Sequence, residues 1–131
     1  MGNVKGGVEM HKSTEIRQYT RDDNRHKTGV MIAFRQNNKV YIGWSKCKIH
    51  CKDKKQCDKF DRDFGIHIAE ERAYKYFDHV SLKGKRKDGK PIFPHSMQDD
   101  FERFIGKSIS YFTKEENNFE FPTFTNQWIQ V

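Results

Sequence analysis

The sequence predicts an α+β domain in which an antiparallel β-hairpin, or a small sheet built on it, packs against two main α-helices. Three observations carry that expectation: apolar residues alternate on either side of Gln36–Lys39, a helical repeat runs from about Asp58 to Phe77, and an aromatic-rich helical repeat follows Ser96. At 131 residues the chain has room for one such domain and one modest core. Charged residues make up 33% and hydrophobic residues 34%, so part of the chain must be solvated loop. Eleven Phe, five Tyr and two Trp offset this, since each aromatic ring buries about 150–250 Å².

Residues 1–27 hold three glycines and many charges with little periodicity, which predicts a flexible N-terminal arm ahead of a single domain over 28–131. The hairpin follows. Val30, Ile32 and Phe34 alternate with Met31, Ala33 and Arg35, and after the turn Val40, Ile42 and Trp44 alternate with Tyr41, Gly43 and Ser45. The expected core face is Val30/Ile32/Phe34 with Val40/Ile42/Trp44. The other face would offer Arg35 and Tyr41 either to a ligand or to water.

In the first helix, capped by Asp58 or Asp61, one apolar stripe runs through Gly65, Ile66, Ala69, Ala73, Tyr76 and Phe77 and another through Phe60, Phe64 and Ile68. Arg72 falls between them. A guanidinium placed there needs an anionic partner, and a carboxylate of the same chain, an interface and the phosphate of a ligand all satisfy that need. Lys83–Lys90 is a turn-rich basic loop, which is either a solvated run or a tracker of a phosphate backbone. In the second helix Ser96 and Asp99 resemble a capping box, and Met97, Phe101, Phe104, Ile105, Ser108, Ile109 and Phe112 form a core stripe. Arg103 and Lys107, four apart and off that stripe, join the ligand-binding candidates. The aromatic tail from Phe119 to Val131 should add an edge strand or dock on the core or a neighbouring subunit.

The net charge of +7 favours a polyanionic partner, whether nucleic acid, nucleotide or acidic protein surface. No run of about 18 apolar residues and no secretory leader is visible, so the expected location is cytoplasmic, with no membrane partner. Three cysteines, an odd number, argue against a disulfide framework. Cys47, His50, Cys51 and Cys57 carry ligand types suited to tetrahedral zinc, but adjacent His50 and Cys51 reach one ion poorly and no second C-x₂-C follows. The acids Asp58, Asp61, Asp63, Glu70 and Glu71 are accounted for by helix polarity, and no P-loop, dinucleotide fingerprint or G-x-S-x-G is present. The expectation is a binding protein that needs no cofactor, with a zinc-stabilised interaction module as one alternative.

The runs Gly29-Val30-Met31-Ile32-Ala33-Phe34-Arg35, Gly43-Trp44-Ser45-Lys46-Cys47 and Asp58 to Ala73, with Ile92-Phe93-Pro94-His95-Ser96, resemble a group of small bacteriophage accessory proteins over about residues 29–112. Among characterised groups the chain is similar to the first Thoeris anti-defence family, whose members are oligomeric sponges for cyclic ADP-ribose signals, some also taking cyclic oligonucleotides. The resemblance implies a homo-oligomer that sequesters a cyclic nucleotide in the host cytoplasm without cleaving it. Arg35 and Arg72 would then hold phosphates, with Tyr41 or Trp44 near a base or ribose. The cysteine-rich loop departs from the compact link expected there. The alternative is a nucleic-acid-binding protein, or an inhibitor of a nucleic-acid-binding host defence complex, acting through Lys83–Lys90 and the cysteine loop.

Overall fold

A computed structural model describes residues 15–47, 61–114 and 118–125. Strands β1 (Glu15–Arg21), β2 (Lys27–Gln36) and β3 (Lys39–Lys46) form an antiparallel sheet in chain order. Helix α1 (Arg62–Lys75) follows, then the short strand β4 (Val80–Ser81), a 3₁₀ turn (His95–Met97), helix α2 (Gln98–Thr113) and strand β5 (Phe124–Thr125). This is the expected α+β class. Among the described residues no helix is long and apolar enough to cross a membrane.

The hairpin forms where the alternation predicts it, but its faces are shared out differently. The turn holds two residues, Asn37 and Asn38, and Asn37 takes φ 57°, a left-handed backbone that Asn tolerates. Gln36 therefore pairs with Lys39, Phe34 with Tyr41, Ile32 with Gly43 and Met31 with Trp44. Directly paired residues share a face, so the even positions of β2 lie beside the odd positions of β3. The expected grouping of Val30/Ile32/Phe34 with Val40/Ile42/Trp44 is thus corrected: the two sets point to opposite sides.

Both sides are apolar, and each is covered by a helix. Met31, Ala33, Val40, Ile42 and Trp44 pack with Phe93, Met97 and the α2 residues Phe101, Phe104 and Phe112. Val30, Ile32 and Phe34 pack with Ala69 and Ala73 of α1. The sheet is the middle layer of three, so the expected choice between a ligand face and a wet face does not arise.

Helix α1 begins where the Asp61 carboxylate accepts the Phe64 backbone N–H at 3.0 Å. Its buried residues, Gly65, Ala69 and Ala73, are small and four apart. Small size is needed because the helix lies directly on β3: a Cβ at Gly43 would come within 1.9 Å of the Ala69 carbonyl oxygen. The second expected stripe fails at Phe64, which is 64% exposed. Helix α2 buries Phe101, Phe104, Ser108 and Phe112 as the repeat predicts, while Ile105 of the same stripe is half-buried and Ile109 is exposed. No side-chain hydrogen bond caps it, however, and the Ser96 hydroxyl instead accepts from Lys46 Nζ. The capping-box expectation is corrected accordingly.

The arm expected through residue 27 belongs to the sheet from Glu15 onward, where Ile16 pairs with Ala33 and Tyr19 with Val30. Residues 1–14 lie outside the described residues. The described part of the aromatic tail, through Thr125, behaves as one expectation had it, because β5 pairs in parallel with β4 and Phe119, Phe121 and Phe124 pack on the α2-side core, whereas Trp128 and Ile129 lie outside the described residues.

Candidate functional site

Strand β3 is the last strand of its sheet, and its outer backbone groups need partners. At one end the chain after α2 supplies them: Val40 N–H donates to the Glu120 carbonyl at 2.9 Å and Glu120 N–H to that of Asn38 at 2.8 Å. Two residues beyond Ile42, the carbonyl of Trp44 accepts from Arg72 Nη1 at 3.2 Å. The same guanidinium lies 5.7 Å from the centroid of the Trp44 ring.

Arg72 is half-buried, and burial pulls its pKa below the ordinary arginine value, with the neighbouring Tyr76 opposing the shift. Among the described residues no carboxylate pairs with it. One carbonyl and one ring are therefore its partners there, and a guanidinium carries five N–H donors. Its fixed fork is suited to a bidentate oxyanion.

Of the sequence-derived candidates, only Trp44 shares this place. Trp44 is fully buried, with its ring 4.8 Å from Phe93 and 5.5 Å from both Tyr76 and Phe101, which leaves no face for a nucleobase. It positions Arg72 instead of receiving a ring. Tyr41 lies on the opposite side of the sheet among Phe34, Tyr74 and Phe77, at 5.4, 4.7 and 5.0 Å. Arg35, half-buried, sets its guanidinium 5.3 Å from the Phe119 ring. Arg103 is exposed on α2 and ion-paired with Asp100 at 2.6 Å, and Lys107 is exposed one turn further on.

Cys47 donates its thiol to the Thr28 carbonyl at 3.2 Å. The other zinc candidates, His50, Cys51 and Cys57, lie outside the described residues. Among the described residues no group of three or more His, Cys, Asp or Glu is placed to hold a metal ion.

A cleft of about 420 Å³ opens between the β1–β2 turn and the start of α2, and sequence reasoning does not reveal it. Its turn wall is built by Asp22, whose Oδ1 accepts from the backbone of Asn24 and His26, both at 2.9 Å. The Thr20 and Thr28 hydroxyls meet at 3.0 Å, and Lys46 and Ser96 form the facing wall. The one available signal is the turn-forming string Asp22-Asp23-Asn24, which marks a turn only once a strand is recognised on either side of it. Asp22, Asp23 and Asp100 all border the cleft, so its charge is mixed and unfavourable to a phosphate.

No family model, no curated protein and no solved structure matches this chain.

Proposed function

We propose that this protein acts by holding a phosphate-bearing ligand at Arg72 and does not turn that ligand over. The supporting observation is a half-buried guanidinium, oriented by the Trp44 ring and carbonyl, with no carboxylate partner among the described residues. An internal Arg–carboxylate pair is the competing account of this arginine, and none of the ion pairs among the described residues provides it. Partial burial strengthens a charge-assisted bond to an oxyanion, because solvent screening there is reduced.

A cyclic nucleotide is the ligand that the phage resemblance implies, and its sequestration as an immune signal in the host cytoplasm is the finer form of the proposal. Assembly into a homo-oligomer belongs to the same proposal. The test is titration of the full chain with cyclic ADP-ribose and with a cyclic dinucleotide by calorimetry, followed by native mass spectrometry of the mixture. Wild type should retain an intact ligand at a fixed ratio per oligomer. Arg72→Ala should abolish retention, and Arg72→Lys should weaken it, because an ammonium keeps the charge but loses the fork. Equal retention by Arg72→Ala, or none by wild type, would overturn the proposal. If Arg72→Ala fails to fold, Arg72→Met, which keeps much of the packing volume, supplies the same comparison.

A further inference from the structure

Between β4 and the 3₁₀ turn the chain leaves the core at Leu82 and returns at Phe93, 3% and 0% exposed respectively. Residues 85–91 between these anchors are all exposed. Solvation alone would allow such a segment to be irregular, but it is a built finger. Lys85 and Pro91 form an antiparallel bridge, Arg86 N–H donates to the Lys90 carbonyl at 2.7 Å, and Gly89 N–H donates to that of Arg86 at 2.9 Å. Ile92 N–H closes the base on the Gly84 carbonyl at 3.0 Å. Gly89 takes φ 86°, the left-handed position that ends a three-residue hairpin loop.

Five of the eight residues from Lys83 to Lys90 are Lys or Arg, and Asp88 is the one acid. That acid is spent inside the finger. Its Oδ2 pairs with Arg86 at 2.8 Å and its Oδ1 accepts the Lys90 N–H at 3.0 Å. The carboxylate fixes the turn, and Lys87 and Lys90 stand exposed on a backbone that is already ordered.

We infer that this finger is a docking surface for the phosphate backbone of a nucleic acid. Its exposed stretch, Lys85 to Pro91, offers no large apolar side chain to insert into a membrane or to fill a peptide pocket. What it offers is closely spaced point charge. Duplex nucleic acid matches this best, because it carries one charge per roughly 1.7 Å of axis and releases condensed counterions when phosphates are neutralised. A preformed finger also loses less conformational entropy on binding than a floppy one. This inference stands apart from the ligand proposed at Arg72.

The test is fluorescence anisotropy of the full chain with a DNA duplex of about 20 base pairs, an RNA duplex of the same length and a polyglutamate of matched charge, between about 50 and 300 mM KCl. Wild type should bind both duplexes, with log K falling against log salt at a slope of about −3 to −4, since each duplex phosphate contact contributes about −0.9. Lys85→Gln, Lys87→Gln and Lys90→Gln combined should flatten the slope by about 2 to 3 and weaken binding at least about tenfold at about 100 mM salt. Arg72→Ala should leave the slope unchanged, which separates this result from failure of the ligand proposal. Polyglutamate should bind at least about tenfold more weakly, because its linear charge density is lower. No duplex binding at the lowest salt, an unchanged slope in the triple variant, or equal binding of polyglutamate would overturn the inference.

Discussion

Arg72 holds Trp44 twice, its Nη1 hydrogen-bonded at 3.2 Å to the Trp44 carbonyl and its guanidinium 5.7 Å from the Trp44 ring. One helix residue thus occupies both the open edge of the sheet and the flank of the largest buried side chain among the described residues. Arg72→Ala should cost about 1–2 kcal/mol, the sum of a charged hydrogen bond and a cation–π contact discounted for partial exposure. Urea unfolding followed by tryptophan fluorescence measures it. The ligand proposal requires loss of retention in protein that is still folded at room temperature.

The contact between α1 and β3 depends on a missing side chain. Gly43→Ala would drive a Cβ to 1.9 Å from the Ala69 carbonyl oxygen, which is backbone and cannot rotate away. The expected loss is at least about 2 kcal/mol, with a lower urea midpoint. Gly106 of α2 is the contrast, since a methyl group added there would meet nothing within 4 Å. There Gly106→Ala should stabilise by about 0.5–1 kcal/mol through helix propensity alone.

Ser108 is fully buried, and its hydroxyl has no hydrogen-bond partner among the described residues. Ser108→Ala removes an unsatisfied polar atom and places a better helix former in α2, so stability should rise by about 1 kcal/mol. Thermal unfolding is the measurement. A fall in melting temperature would mean that the hydroxyl has a partner.

The carboxyl of Asp88 is held below its usual value of 3.8 chiefly by the Lys90 backbone N–H, with desolvation opposing and the Arg86 and Lys90 charges assisting. A depressed carboxylate orders its surroundings above the unfolded pKa, and that contribution is lost as pH falls through the folded value. The finger should therefore keep one set of amide chemical shifts from about pH 8 down to about 4, the unfolded reference. Below that the Lys90 amide should move together with the Asp88 carboxyl. An Asp88 titration midpoint above 3.8 by NMR would contradict this geometry.

Much of the architecture is legible in the chain because local periodicity encodes it. The β2–β3 alternation, the Asn-Asn turn, the Asp61 cap and the Phe101/Phe104/Phe112 stripe all appear in the chain as they appear in the fold. What periodicity cannot give is parity across a turn. Whether Trp44 faces the same way as Phe34 depends on the turn holding two residues, and the string Gln36-Asn37-Asn38-Lys39 is compatible with either count. That count decides which helix covers Trp44, and with it whether the indole has a face open to a ligand. β1 escapes for a related reason, because Glu15-Ile16-Arg17-Gln18-Tyr19-Thr20-Arg21 has too few apolar residues to show its period. At the candidate site, Arg72 is singled out by its place between two expected apolar stripes, but the second stripe fails at the exposed Phe64 and the contact with Trp44 is what half-buries it; the cleft depends on the β1–β2 turn meeting the start of α2, a long-range relation with no local trace.

The two-residue turn at Asn37-Asn38 also sets how the fold tolerates changes in chain length. Lengthening it by one residue would rotate β3 by half a period, pressing the Trp44 indole into the backbone of α1 and presenting Gly43 to the phenylalanines of α2. The first helix would be lifted off and the second left over a hollow. A one-residue insertion there therefore damages both layers at once and takes the Arg72 seat with them.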